Sequence, residues 1–184
     1  QRALERGWHQ CWARGDDTHS PPSLATHTMI AWHAFAQHPF LVGPWTSEMG
    51  FEVLYWVPYL TQIAHTYQIA PERLIVLTRG GAAAWYPPGC QRIELYDYVP
   101  PQDLRLLALD AQQTRASVKQ FTITPFERRL LALVAARIGV RHYGLLHPSR
   151  MYRHLDPWWT TQKMGLATMM KQLRIAPLPP LTPP

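Results

Sequence analysis

Charge is scarce in this chain: Asp, Glu, Lys and Arg together make up 16% of 184 residues. Globular domains average about 25%, so one face is expected to be covered by something other than water. Acidic residues are the rarer sign, 12 against 18 Lys and Arg, for a net charge of +6. The basic residues form no run and no basic-aromatic stripe. That argues against a nucleic-acid partner and suits anionic small molecules or a membrane surface. Cysteine is limited to Cys11 and Cys90, too few for a disulfide framework or a zinc site. The nine histidines show neither HxH nor HExxH spacing, so a zinc site is not expected; no cofactor is expected. No apolar run reaches the roughly 18 residues of a membrane span. No charged n-region and apolar h-region open the chain, so a cytoplasmic location is the expectation.

What is present is enough apolar residue, 47% of the chain, to fill a core. Residues 1–28 mix Arg, His, Gln, Asp, Thr and Pro without a period, and read as a disordered or non-native extension. Met29 is the expected natural start, and Met29 to Phe35 reads as a first strand or lead-in. Residues 177–184 hold five prolines in eight positions. Such a segment favours polyproline II, so 175–184 reads as a linker to a missing second domain. The expected domain is 29–174.

Within it, elements alternate. Pro39 to Val42 ends a strand, and Phe51 to Gln68 is an apolar-periodic helix that Pro58 should bend. Arg73 to Thr78 is a continuous apolar run, as in a parallel strand buried on both faces. Arg92 to Val99 alternates like another strand, and Pro101 to Ala116 has helical spacing. Thr124-Pro125-Phe126-Glu127 is a capping box, and the helix it opens should stop at Gly139. Tyr143 to Leu146 reads as a last strand, and Thr161 to Leu173 as a last helix. The order predicts an α/β fold, an open, mostly parallel sheet with helices on both faces.

Such sheets bind ligands beyond the carboxyl ends of their strands, and three such ends carry polar groups. The first is Gly43 to Gly50, with Trp45, Glu48 and Gly50. It is neither a Walker loop nor GxGxxG. Glu48, among aromatics, is the candidate general base; alternatively it complements a helix N-terminus. The second end is Arg79-Gly80-Gly81, whose guanidinium and amides suit a phosphate or carboxylate, or else form an ordinary surface turn. Trp85-Tyr86 beyond it reads as a stacking platform or as a lid packed on the core. The third is His147, Ser149 and Arg150, where the histidine reads first as hydrogen-bonded scaffolding. Trp158-Trp159 suits a peripheral membrane contact or, more economically, burial against a further domain.

These segments together resemble a family. Phe40 to Trp45 followed by Ser47 to Leu60 looks like the opening of bacterial glycosyltransferase-like proteins of the two-Rossmann-domain (GT-B) type. Thr78 to Gly81 with Trp85-Tyr86, and His147 to Tyr152, are similar to further segments of that group. The resemblance covers about Met29 to Pro184 and implies a Rossmann-like fold. It implies the N-terminal, acceptor-side half, with the nucleotide-sugar donor held mainly by a second domain. Glu48 would deprotonate a hydroxyl of the glycan acceptor, and Arg79 with the loop amides would offset diphosphate charge. No metal is implied for the chemistry. Two other readings stand beside it: a non-catalytic anion- or glycan-binding module, and an inactive truncated relic.

Overall fold

The computed structural model describes residues 24–115, 117 and 119–175. Both the proline-rich 176–184 and residues 1–23 lie outside the described residues. Helix α1 spans Leu24–Phe35 and β1 spans Phe40–Val42. A continuous helix comes next, here α2, built of an α turn Met49–Phe51, a π segment Glu52–Trp56 and an α run Val57–Thr66. Then come β2 at Leu74–Thr78, β3 at Gln91–Glu94, α3 at Pro101–Arg115, α4 at Pro125–Arg137 and β4 at Gly144–Leu146. Ser149–Trp159 forms α5 and Leu166–Met170 forms α6.

All four strands are parallel, in the order β3-β2-β1-β4. The expected α/β architecture, a Rossmann-like open parallel sheet with helices on both faces, is the observed one. Strand residues alternate between two cores. Phe40, Val42, Leu74, Val76 and Leu146 face one layer, filled from α1, α2, α5 and α6. Leu41, Ile75, Leu77 and Leu145 face the other, filled from α3 and α4. This double burial is why β2 reads as an unbroken apolar run. From β1 the chain crosses to β2 over the first layer. From β3 it crosses to β4, in the opposite direction, over the second. Opposite directions on opposite faces keep both crossovers the same hand.

Several local expectations change. Met29 to Phe35 is helix rather than strand, and α1 runs through the boundary expected at Met29. Its Ile30 and Ala34 belong to the core, because helical spacing puts them on one face. Arg73 fastens this end of the sheet, donating to the carbonyls of His33 at 3.0 Å and of His38 at 2.8 Å. Pro58 does not bend a plain α-helix. The π segment directly ahead of it, where the Val57 amide reaches back to Glu52 O, absorbs the missing donor and the ring's crowding of the preceding turn. β3 ends at Glu94, because the Glu94 carboxylate takes the Tyr96 amide at 3.3 Å and starts a 3-10 turn, Leu95–Asp97. The last helices are Ser149–Trp159 and the short Leu166–Met170, not 161–173. Pro157 falls in the final turn of α5, where it costs one hydrogen bond rather than the helix.

α4 obeys its local signals closely. Thr124 and Glu127 form the reciprocal capping box. Gly139, at φ +73°, closes the other end, with Gly139 N–H on Ala136 O and Val140 N–H on Ala135 O, a Schellman motif.

Gly144 is the tightest point of the sheet. A Cβ there would lie 2.4 Å from the Phe40 ring, which is fully buried and paired directly opposite. Gly144→Ala is expected to cost about 1–3 kcal/mol through overpacking. Urea denaturation checks this; a loss below about half a kcal/mol would show that Phe40 can move aside.

Candidate functional site

Strand order places the topological switch point between the carboxyl ends of β1 and β4, and the protein fills it with its own side chains. Gln120, wholly buried, accepts the Thr46 amide at 2.9 Å and donates to Pro44 O at 3.0 Å. It also donates to Glu127 Oε1 at 2.8 Å. Thr46 Oγ1 donates to the same oxygen at 3.3 Å. Glu127 Oε2 takes the Thr124 amide at 2.6 Å and the Thr124 hydroxyl at 2.9 Å. The carboxylate thus receives four donors at a helix N-terminus, which satisfies a buried anion. His147, 1% exposed, stands behind it. Its Nδ1 accepts the Ser149 amide at 3.1 Å, leaving Nε2 as the protonated nitrogen. That nitrogen lies 3.7 Å from Glu127 Oε2, beyond hydrogen-bond distance.

The open space lies one strand over. A cleft of about 280 Å³ sits beyond β1 and β2, walled by Thr46, Ser47, Glu48 and Arg79 on the sheet side. Tyr96 and α3, through Arg105 and Gln112, wall the other side. Arg79 is anchored here by donating through Nη2 to Ser47 O. The turn behind it needs glycine, since Gly80 and Gly81 have φ +54° and +87°. The Gly80 amide donates to Glu94 Oε1 at 3.2 Å, so it is not offered to a ligand.

Of the expected site residues, the structure brings Glu48 and Arg79 into this cleft. Glu48 is exposed and caps nothing with its side chain; it is not sunk in an aromatic pocket. The carboxyl that is buried among aromatics is Glu52, one helical turn on. Burial raises its pKa, with the Tyr86 hydrogen bond and the Arg79 charge pulling the other way. The Tyr86 hydroxyl donates to Glu52 Oε1 at 2.7 Å, so Trp85 and Tyr86 do not pair as a platform. Tyr86 is buried and Trp85 is 37% exposed. Trp45 is a core residue stacked between Trp56 and Tyr152, at 6.3 and 5.9 Å between ring centroids. Its indole donates to Glu48 O at 3.1 Å, which fixes the loop rather than a ligand. Gly50 is exposed with open space around it.

His147 and Ser149 are buried beside the switch point and do not line the cleft. Arg150 turns towards α1, donating to Thr26 O at 3.4 Å. Burial lowers its pKa to about 10, with Tyr59 opposing the shift. Trp159 packs edge-on against Phe51 and Tyr55, with the Lys119 ammonium 4.9 Å from its ring centroid. Trp158 is likewise half-buried. Sequence reasoning misses Gln120, Glu127 and Arg105 as parts of this region, and reads Glu52 as a carboxylate complementing the helix dipole rather than as the buried partner of Tyr86. Glu127 alone carries a signal, its capping box. Among the described residues, no group of three His, Cys, Asp or Glu is set to hold a metal ion, and no helix is long and apolar enough to cross a membrane.

No protein-family model, curated protein or solved structure matches this chain.

This geometry sets two expected outcomes. Glu127→Gln turns one acceptor oxygen into an NH2 facing buried donors, and is expected to cost about 1–3 kcal/mol for each donor left unpaired. An unchanged denaturation midpoint would show that the network can rearrange. For Glu52, a folded-state pKa above the ordinary value means that the folded chain holds the proton more tightly than the unfolded one. Its contribution is present in acid and is lost as pH rises from the ordinary 4.5 through the folded value. Glu52→Gln keeps an acceptor for Tyr86 and carries no charge. Its stability relative to the parent should therefore climb as pH rises above 4.5; a flat difference in urea melts would refute the shift.

Proposed function

We propose that this chain is the acceptor-side domain of a glycosyltransferase-like enzyme. Its cleft holds a glycan acceptor with one hydroxyl against Glu48. The observation that supports this reading is the shared placement of Glu48 and Arg79 in one open cleft beyond β1 and β2, at the edge where parallel α/β sheets bind ligands. Of the segments that carry the resemblance, Ser47-Glu48 and the Arg79 turn line this cleft, while Trp85-Tyr86 and His147 to Tyr152 do not.

In this reading Glu48 is the general base. It is exposed and its side chain has no hydrogen-bond or ion-pair partner among the described residues, so it is available to an incoming hydroxyl. The proton passes from the acceptor oxygen to the Glu48 carboxylate as that oxygen attacks the anomeric carbon, and the bond to the nucleotide diphosphate breaks. The polar side chains of the lining that the buried network leaves unused, Tyr96 and Gln112, match the hydroxyls of a sugar ring. The nucleotide-sugar belongs to a second domain, because the switch point, where a nucleotide sits in this architecture, is filled here by Gln120 and Glu127.

The chain itself provides the test. Titration with oligosaccharides, monitored by amide NMR shifts, should move Thr46, Ser47, Glu48 and Arg79. Nucleotide-sugars should bind weakly or not at all, and tight binding of them would overturn the assignment to the acceptor side. With the donor domain supplied, Glu48→Gln should slow transfer by about 10²- to 10⁴-fold. Acceptor affinity should stay within a few-fold.

A further inference from the structure

We infer that the ligand of this cleft is acidic: a glycan unit bearing a carboxylate or phosphate, seated between Arg79 and Arg105 with a hydroxyl directed to Glu48. This rests on the reading of the cleft as an acceptor site and deepens it.

Three charged side chains line the cleft, the two arginines and Glu48. Among the described residues none of the three pairs with another. Glu48 makes no side-chain cap bond, and Arg79 uses Nη2 on a backbone carbonyl. Arg105 reaches the cleft from α3 and has no hydrogen-bond or ion-pair partner there. A guanidinium offers five N–H donors in a fixed fork. Arg79 spends one of them on Ser47 O, which orients its plane, and keeps the rest. The lining itself carries two guanidinium charges against one carboxylate, with Glu52 reaching Arg79 electrostatically from the core, and a neutral sugar would add no anionic partner for either fork. An anionic group bridging the two arginines engages both through charge-assisted hydrogen bonds. Glu48 stays clear of the anion, because its task is at a hydroxyl.

The geometry also assigns Arg79 to the acceptor rather than to the donor diphosphate. Its anchor, Ser47 O, lies in the same loop as Glu48, so base and fork are held at one fixed separation on one domain. Arg105 faces them from the opposite wall, an arrangement suited to reading ligand charge.

The measurement is calorimetric titration of the 184-residue chain at low salt with three probes. These are a disaccharide ending in glucuronate, its glucose-terminated counterpart and inorganic phosphate, with amide NMR to locate each. The acidic disaccharide is expected to bind about tenfold or more tightly than the neutral one, the scale of one charged hydrogen bond. Raised salt should erode that advantage. Arg105→Gln, an exposed substitution that leaves the core untouched, should abolish most of it. Equal affinity for the two disaccharides, or an advantage that survives Arg105→Gln, overturns the inference while leaving the acceptor reading intact. Phosphate binding in the cleft that depends on Arg105, with no saccharide binding, supports the anion site and overturns the glycan reading. Binding of none of the three overturns both.

Discussion

Glu127 is the residue on which the carboxyl edge of the sheet depends. Its carboxylate caps α4 through Thr124, and it also takes the hydroxyl of Thr46 and the amide of Gln120. One buried anion therefore joins a helix start, the loop after β1 and the segment between α3 and α4. Its charge is tolerated inside because donors surround it and a helix N-terminus points at it. Removing any one of those donors would loosen the others, since they share two oxygens.

That hub explains where the cleft lies. In an open parallel sheet the crevice at the switch point is the natural ligand position. Here Gln120 and Glu127 fill it, and Gln120 fixes the backbone at both Pro44 and Thr46. The loop is thus pinned on its β4 side. Its other side, Ser47 and Glu48, is left facing β2, where Arg79 meets it. A pinned wall and an open wall are consequences of one set of hydrogen bonds, which gives the loop that carries Glu48 a defined position.

The sheet is legible in the sequence because burial on both faces leaves unbroken apolar runs in β1 and β2. The α4 boundaries are legible because capping chemistry is local. Features that depend on distance in the chain are not legible. Nothing in Thr124-Pro125-Phe126-Glu127 tells that its carboxylate also reaches Thr46, 81 positions away. Nor does loop composition separate Glu48 from Glu52, since both stand at the opening of one helix, four residues apart. α1 escapes detection because its Thr and His residues hide the Ile30 and Ala34 stripe. Trp45 and Tyr86 look ligand-facing in sequence because aromatic side chains are equally suited to stacking on a sugar and to filling a core. Which they do is decided by packing that only the tertiary structure supplies.

The divergence of the two carboxylates is itself informative. Glu48 is the N-cap of α2, with extended backbone at φ −68° and ψ 135°, and its carbonyl accepts the amide of Glu52 at 3.2 Å. Glu52 lies inside the helix and turns inward to Tyr86, while the extended backbone at the cap leaves the Glu48 side chain outside. Burial raises the pKa of Glu52, against the pull of the Tyr86 hydrogen bond and of the Arg79 charge. The charged side chains that line the cleft itself are Arg79, Arg105 and Glu48. The cap geometry at the opening of α2 thus lets one carboxyl serve the core and leaves the other to the solvent.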